Sequence, residues 1–187
     1  MAYFATQNKI KKRKIVFILD DMGNRLSPEF RKAFEEFIPK WLESLRPYYE
    51  EAKATGVDYL YLANYKPMGA KCQLYEKNGV GYYLSEYRGI KELAFNSDHH
   101  YIRCNWLECF EEAYPGIDNI SNFSVYNLPL TRLWNKKQEY SEWAERINKC
   151  FQEIMGDTNV EFSISSTSAI LFNEKAKYFI DRYRPYR

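Results

Sequence analysis

The sequence predicts a single compact α+β domain in which a mixed or antiparallel sheet packs against amphipathic helices. Two observations favour this class. Helical and strand-like apolar patterns are interspersed along the 187 residues rather than ordered as a regular βαβ array, and no Gly/Ser/Pro-rich linker or internal repeat divides them. We therefore treat 1–187 as one domain, with 1–12 as a flexible or docking arm and 184–187 as a C-terminal tail.

The first predicted elements are a strand and a long helix. Ile15–Leu19 is short and β-branched, which suits a buried strand that ends at the turn residues Asp20–Asn24. Ser27 then offers an N-cap and Pro28 a first helical residue. Pro39 lies inside this helix and should kink or split it. Apolar residues recur at helical spacing: Phe30, Phe34, Phe37, Ile38, Trp41, Leu42 and Leu45.

A short helix, a strand and a hairpin should follow. Tyr48–Ala54 predicts a helical turn, and Val57–Tyr65 alternates as a strand does. The dipeptide Asn78-Gly79 separates two further strand-like stretches, Cys72–Lys77 and Val80–Ser85. Because both turn residues accept a positive φ, this pattern predicts a type I′ hairpin.

The second half of the chain continues the mixture of helices and strands. His100–Cys104 and Asn122–Leu128 are predicted as strands, and Leu107–Tyr114 as a short helix. Tyr140–Met155 has clear helical periodicity, and its apolar stripe should belong to the core. Two short strands should then precede a last helix capped by Asn173. Those strands are Val160–Ser165 and Ala169–Phe172.

The end of the chain carries the one resemblance that bears on its source. The segment Ile170–Tyr183 (ILFNEKAKYFIDRY) resembles the strand-then-helix ending of small bacteriophage-encoded proteins. In those endings an aromatic strand end precedes a helix with Ala, Phe and then Arg beside an aromatic residue. The resemblance implies a viral origin and names no function.

Charge and hydropathy exclude several classes. The formal net charge of +2 provides no domain-wide field for non-specific binding to nucleic acid. Ile15–Leu19 is far shorter than the roughly 20 apolar residues of a membrane-spanning helix. Asp20 and Asp21 interrupt it where a signal peptide would continue. We therefore expect a cytoplasmic protein, in the host cytoplasm or the virion if it is viral, with no membrane partner.

Two groups of polar residues contain the residue types of a catalytic or metal-binding site, but neither group has the spacing that such a site requires. Asp20 and Asp21 follow a predicted strand, as the nucleophile of haloacid-dehalogenase phosphatases does, but that family needs Asp-x-Asp rather than adjacent residues. Asp98, His99 and His100 precede Cys104 and Cys109, yet zinc sites usually contain tighter pairs such as C-x2-C or H-x3-H. We expect a strand-end turn and a polar loop, and no metal site.

A third group resembles parts of ADP-ribosyltransferases. Tyr87-Arg88-Gly89 and Ser166-Thr167-Ser168 are similar to the arginine and the Ser-Thr-Ser strand of that family. Those enzymes also need a downstream Glu-x-Glu, and after Ser168 the chain contains only Glu174. The phosphate-binding, hydrolase and metalloprotease motifs are missing from the sequence as well. The sequence therefore favours a protein that is not an enzyme and binds no cofactor.

The remaining functional signal lies in the basic termini and in the aromatic content of 18%. Arginine and tyrosine together suit protein contacts, whereas lysine and arginine beside rings also suit nucleic acid. We expect a non-catalytic interaction or assembly protein that binds a protein partner or itself. A nucleic-acid-binding protein and an enzyme with an unrecognised site are the alternatives. The predicted partner-binding residues are Lys11, Lys12, Arg13, Arg182, Arg184, Tyr186 and Arg187.

Overall fold

The computed structural model describes residues 28–64, 71–104, 106–115, 137–163 and 168–183. These residues form six helices and six strands, which confirms the α+β class. The helices are α1 (Pro28–Ser44), α2 (Arg46–Thr55), α3 (Asp98–Cys104), α4 (Trp106–Ala113), α5 (Lys137–Met155) and α6 (Glu174–Tyr183). The strands are β1 (Tyr59–Asn64), β2 (Lys71–Lys77), β3 (Val80–Tyr87), β4 (Ile90–Phe95), β5 (Glu161–Ser163) and β6 (Ala169–Leu171).

The strands form one mixed sheet in the order β2-β3-β4-β1-β6-β5. Strands β1 and β4 are parallel, and every other neighbouring pair is antiparallel. The hairpin β2–β3 therefore lies at one end of the sheet, with β2 as an edge strand. None of the described helices combines the length and apolar composition needed to cross a membrane.

The two faces of the sheet pack against different helices. One face, here called the helical face, contacts α1 to α5 through large side chains. Its sheet residues include Leu60, Leu62, Tyr82, Leu93, Phe95, Phe162 and Ile170. The opposite face, here called the α6 face, carries several alanines and packs against Ala176 and Phe179 of α6. Because both faces of the central strands are covered, β1 is buried from Tyr59 to Ala63 instead of alternating.

Aromatic rings fill the helical face. Phe34 and Phe37 of α1 meet Phe110 of α4 in edge-to-face contacts, with ring centroids 5.7 and 5.1 Å apart. Trp41 lies edge-on to Phe162, whose ring centroid is 5.2 Å from that of Phe151 on α5. The high aromatic content thus builds the core of the described residues as well as part of their surface.

Several local predictions are confirmed. Asn78 and Gly79 have φ values of 53° and 76°, as a type I′ turn requires. Asn173 caps α6 by accepting a hydrogen bond at Oδ1 from the N–H of Ala176 at 2.9 Å. Helix α1 continues through the exposed Pro39 to Ser44 and is not split there. The apolar side of the helix stays buried on both sides of the proline.

One local prediction is wrong, and one strand was not predicted. His100–Cys104 is part of helix α3 and not a strand, because Asp98 begins a helix whose His100 and Cys104 pack against the helical face. Strand β4 was not anticipated, since Lys91 and Glu92 interrupt its apolar pattern. It forms because β1 and β3 pair with it on both sides. The predicted strands Ile15–Leu19 and Asn122–Leu128 lie outside the described residues.

Candidate interaction surface

Most of the predicted partner-binding residues lie outside the described part of the chain. Lys11, Lys12 and Arg13 precede it, and Arg184, Tyr186 and Arg187 follow it. Arg182 belongs to the backbone of α6, and its side chain is not described. Their role in partner binding remains a prediction. Asp20 and Asp21 also precede the described residues.

One histidine of the Asp98–Cys109 region, His100, takes part in packing. His100 lies beside the ring of Phe95 and edge-on to Tyr48. Its Nε2 donates to the carbonyl oxygen of Gly79 at 3.2 Å, which ties α3 to the turn of the β2–β3 hairpin. Asp98, at the start of α3, accepts a hydrogen bond from the side chain of Asn64. These contacts give His100 and Asp98 structural roles in holding α3 against the sheet.

The cysteines of the same region are protected thiols. Cys104 is buried, and burial raises the pKa of its thiol far above the ordinary value. Burial also raises the pKa of Cys109 to about 11, and its Sγ donates to the carbonyl oxygen of Arg103 at 2.9 Å. A protonated thiol is a poor nucleophile and metal ligand. No group of three His, Cys, Asp or Glu side chains suited to a metal occurs among the described residues.

The fragments that resemble ADP-ribosyltransferases occupy two separate elements. Ser168 is buried just before β6, and Ser166 and Thr167 lie outside the described residues. Tyr87 ends β3, and Arg88 follows in an exposed turn with a φ of 52°. The Nε of Arg88 donates to the hydroxyl oxygen of Tyr87 at 3.0 Å, and its guanidinium lies 5.3 Å from the centre of that ring. The arginine is therefore a surface residue paired with an aromatic ring.

Three large apolar side chains are exposed on the α6 side of the molecule, on β2, at this turn and on α6. Leu74, Tyr87 and Tyr178 are the large hydrophobic residues that the described part of the chain leaves exposed, at 57%, 45% and 63% of their surface. Leu74 pairs with Tyr83, which pairs with the α6-face residue Ala94, so all of them point to that face. Tyr178 belongs to α6 itself, next to Phe179, whose ring contacts Tyr87. We call Leu74, Tyr87 and Tyr178 the apolar patch.

The path of α6 explains why the patch is uncovered. This helix contacts β4 and β6 and buries the face of the strands between them. The described part of this helix does not extend over β2, so Leu74 remains exposed, whereas Ala94, on β4 nearer the sheet centre, is buried. The side chain of Lys175 anchors α6 in this position by donating to the carbonyl oxygen of Gly89 at 2.6 Å.

The hairpin that carries Leu74 is held firmly from the opposite side. Glu51 of α2 is buried and accepts a hydrogen bond from the hydroxyl of Tyr75 at 2.8 Å. The ammonium of Lys77 lies 2.5 Å from the other carboxylate oxygen. Burial and the nearby Glu51 raise the pKa of Tyr75 far above its ordinary value, so its hydroxyl stays a donor. Strand β2 is thus an ordered edge on which a partner could pack.

A groove on the helical face adjoins the same edge. It has a volume of about 300 Å³ and lies beyond Thr55, the last residue of α2, with Gln73 and Leu84 among its lining residues. Lys71, Glu86 and Lys91 line it as direct cross-strand neighbours, so that positive, negative and positive charges alternate. None of the described residues forms a salt bridge with these three side chains. Within the described part of the chain, these charges are therefore not taken up by a salt bridge.

Sequence reasoning missed the surface formed by the β2–β3 hairpin, α6 and this groove. The one available signal was the position of Leu74 between polar residues in a strand predicted beside a tight turn. No family model, curated protein or solved structure matches the chain significantly.

Proposed function

We propose that this protein is a non-catalytic interaction protein that binds a protein partner through the apolar patch and the adjoining edge of β2. The observation that supports the proposal is the placement of Leu74, Tyr87 and Tyr178 on one side of the molecule. Single exposed apolar residues are ordinary, but several on one side, bordered by polar residues, are typical of protein contact sites.

The charges around the patch favour a protein partner over nucleic acid. Glu76 shares the α6 face with Leu74, and Arg88 lies beside Tyr87. A phosphate backbone requires a run of positive charge, whereas this surface carries both signs. Tyrosine and arginine are also the residue types enriched at protein interfaces. The surface therefore combines apolar area with hydrogen-bond donors in the way that a protein contact uses.

The raised pKa values of buried side chains favour a packing role for these residues over a catalytic role. Burial raises the pKa of Tyr75, Tyr82, Cys104 and Cys109. Tyrosine and cysteine are already mostly neutral at physiological pH, and each shift moves the pKa further from the value that a general base or nucleophile requires. Burial is the largest cause in each case, as expected for side chains that contribute to a core.

Site-specific photo-crosslinking tests the proposal. A benzoylphenylalanine at position 178 should crosslink a discrete protein in extract of the source cells, whereas the same group at the exposed Lys149 of α5 should not. With that protein purified, the double substitution Leu74→Ser and Tyr178→Ser should weaken binding at least about tenfold without changing the thermal midpoint. Equal crosslinking from both positions, or unchanged binding by the double variant, would contradict the proposal.

A further inference from the structure

The free edge of β2 offers a defined set of backbone groups. In a two-residue hairpin the residues flanking the turn, here Lys77 and Val80, form a hydrogen-bonded pair, and hydrogen-bonded and non-hydrogen-bonded pairs then alternate. Gln73 and Tyr75 therefore direct their N–H and C=O groups to β3. Consistent with this alternation, the carbonyl oxygen of Gly81, opposite Glu76, accepts from the N–H of Asn96 instead.

The alternation leaves Cys72, Leu74 and Glu76 with backbone groups that point away from the sheet. Their side chains lie on the α6 face and are exposed. No described strand pairs with this edge, because β2 is the last strand in the sheet order. An exposed edge strand of seven residues is a template for another extended segment.

The charges along β2 specify what an added antiparallel strand would need. Lys71 would lie in a non-hydrogen-bonded pair, where side chains of opposite residues approach most closely, and it has no salt-bridge partner among the described residues. The exposed Glu76 has no such partner there either. Lys77 is already paired with Glu51. An added strand should therefore place an acidic residue opposite Lys71 and a basic residue opposite Glu76.

A second copy of β2 fits this edge poorly. Two antiparallel copies of β2 can pair all of their outward-pointing N–H and C=O groups when Leu74 lies opposite Leu74 of the other copy. That register sets Lys71 of each copy opposite Lys77 of the other, so Lys71 gains no acidic partner, because Lys77 is also basic and is paired with Glu51. Any shifted register leaves some of these backbone groups without hydrogen-bond partners. The charges thus favour a segment of a different sequence.

From these constraints we infer that the partner contributes an extended peptide segment that adds to β2 as an antiparallel strand. Counted from its N-terminus, the segment has a basic first residue, an apolar third residue and an acidic sixth residue, and any residue fits the second, fourth and fifth positions. The apolar residue lies opposite Leu74, the basic residue opposite Glu76, and the acidic residue opposite Lys71 at the mouth of the groove. This inference depends on the proposed function, because it specifies how the partner uses the same surface.

A synthetic peptide tests the inference directly on the full chain. The probe is an acetylated, amidated peptide with Arg, Val and Glu at the three specified positions and Thr at the others. A control peptide of identical composition exchanges Arg and Glu. In amide hydrogen exchange followed by NMR, the probe should slow exchange at Cys72, Leu74 and Glu76 at least about tenfold, and leave Gln73 and Tyr75 unchanged. The control peptide should bind about tenfold more weakly.

Two substitutions separate backbone pairing from charge. Cys72→Pro removes an open N–H at a position where edge strands tolerate proline, and should abolish probe binding, whereas Cys72→Val should retain it. Amide protection at Gln73 and Tyr75 verifies that the hairpin of the proline variant is intact. Lys71→Glu should weaken binding of the probe by about fivefold, and a probe with Lys in place of Glu should restore it.

Several results would overturn the inference. Unchanged exchange at Cys72, Leu74 and Glu76 with saturating probe would exclude strand addition, and so would equal binding of the control peptide. Concentration-dependent protection of these amides without any peptide would indicate pairing between copies instead. If the crosslinked partner still requires Leu74 and Tyr178 in those cases, the proposed function stands and only the mode of binding is wrong.

Discussion

Tyr75 donates its hydroxyl hydrogen to the buried carboxylate of Glu51, 2.8 Å away, and so joins the edge strand β2 to helix α2. The same carboxylate holds Lys77 at 2.5 Å. These two contacts secure the strand from the helical face, while its other face carries Leu74 toward solvent. The side of the hairpin that stabilises it and the side proposed to bind a partner are therefore distinct.

We expect Tyr75→Phe to lower the free energy of unfolding by about 1.5 kcal/mol, because it removes a hydrogen bond to a charged group and leaves part of a buried carboxylate without a donor. Urea denaturation followed by fluorescence measures the change. Tyr83→Phe, on the opposite face of the hairpin, is the matched control and should change stability by less than about 0.5 kcal/mol. Equal effects of the two variants would show that the bond to Glu51 contributes little.

Asp157 should make stability depend on pH. Its carboxylate accepts hydrogen bonds from Lys53 and Tyr49, both at 2.9 Å, and the bond from Lys53 is the main cause that lowers its pKa. A lowered folded-state pKa stabilises the protein fully above the ordinary value of about 3.9 and loses this effect as the pH falls through the folded value. The stability difference between wild type and Asp157→Asn should therefore shrink between about pH 5 and pH 2. A constant difference in urea titrations would contradict this linkage.

Phe151→Ala should cost about 3–5 kcal/mol of unfolding free energy, because the side chain is fully buried between Tyr49 and Phe162. Ile147 on the same stripe of α5 is also buried, as predicted, and Ile154 is half-buried. The exposed Lys149→Ala provides the control for helix propensity and should be close to neutral. An unchanged thermal midpoint for Phe151→Ala would exclude this residue from the core.

The cysteine thiols should differ in reactivity because they differ in burial. Cys72 is exposed on β2, whereas Cys104 is buried and its pKa is raised by desolvation. Iodoacetamide at pH 8 should modify Cys72 within minutes and Cys104 only after denaturation, as peptide mass spectrometry can follow. Rapid modification of Cys104 in the native protein would show that α3 opens readily. Prior binding of the strand peptide should slow the modification of Cys72.

Salt dependence distinguishes the two predicted uses of the basic termini. If Lys11, Lys12, Arg13, Arg182, Arg184 and Arg187 contact phosphates, the affinity for an oligonucleotide should fall steeply between about 50 and 200 mM salt. If they contact protein, removing 1–12 and 184–187 should weaken partner capture with a milder salt response. Fluorescence anisotropy measures the first and size-exclusion chromatography with light scattering the second. Loss of the fold on truncation would contradict both uses.

Elements governed by short-range geometry could be predicted from the sequence. Asn78-Gly79 imposes a type I′ turn because both residues tolerate a positive φ, and the structure has this turn. Asn173 caps α6 through a side chain that reaches only three residues along the chain. In such cases the deciding interactions lie within a few residues, so the local pattern is sufficient.

Elements that depend on distant partners could not be predicted from the sequence. Strand β4 contains Lys91 and the buried Glu92, and it becomes a central strand only because β1 and β3 flank it. The segment from His100 to Cys104 is helical because its inner residues pack against Phe95 and the helical face. The sequence of a single strand or helix does not specify which neighbours will pair with it or cover it.

By itself, the sequence determined the α+β class, the hairpin, the Asn173 cap and the apolar stripes, since each follows from dihedral preference, a local hydrogen bond or hydrophobic periodicity along a short stretch, whereas the predicted Ser27 cap lies outside the described residues. Tertiary structure alone decided which apolar residues remain exposed. Leu74 and Ile90 both lie on the α6 face, yet only Ile90 is covered. The reason is the path of α6, which is anchored at Gly89 and at β6 and stops short of β2, and no local pattern encodes where a helix ends in space.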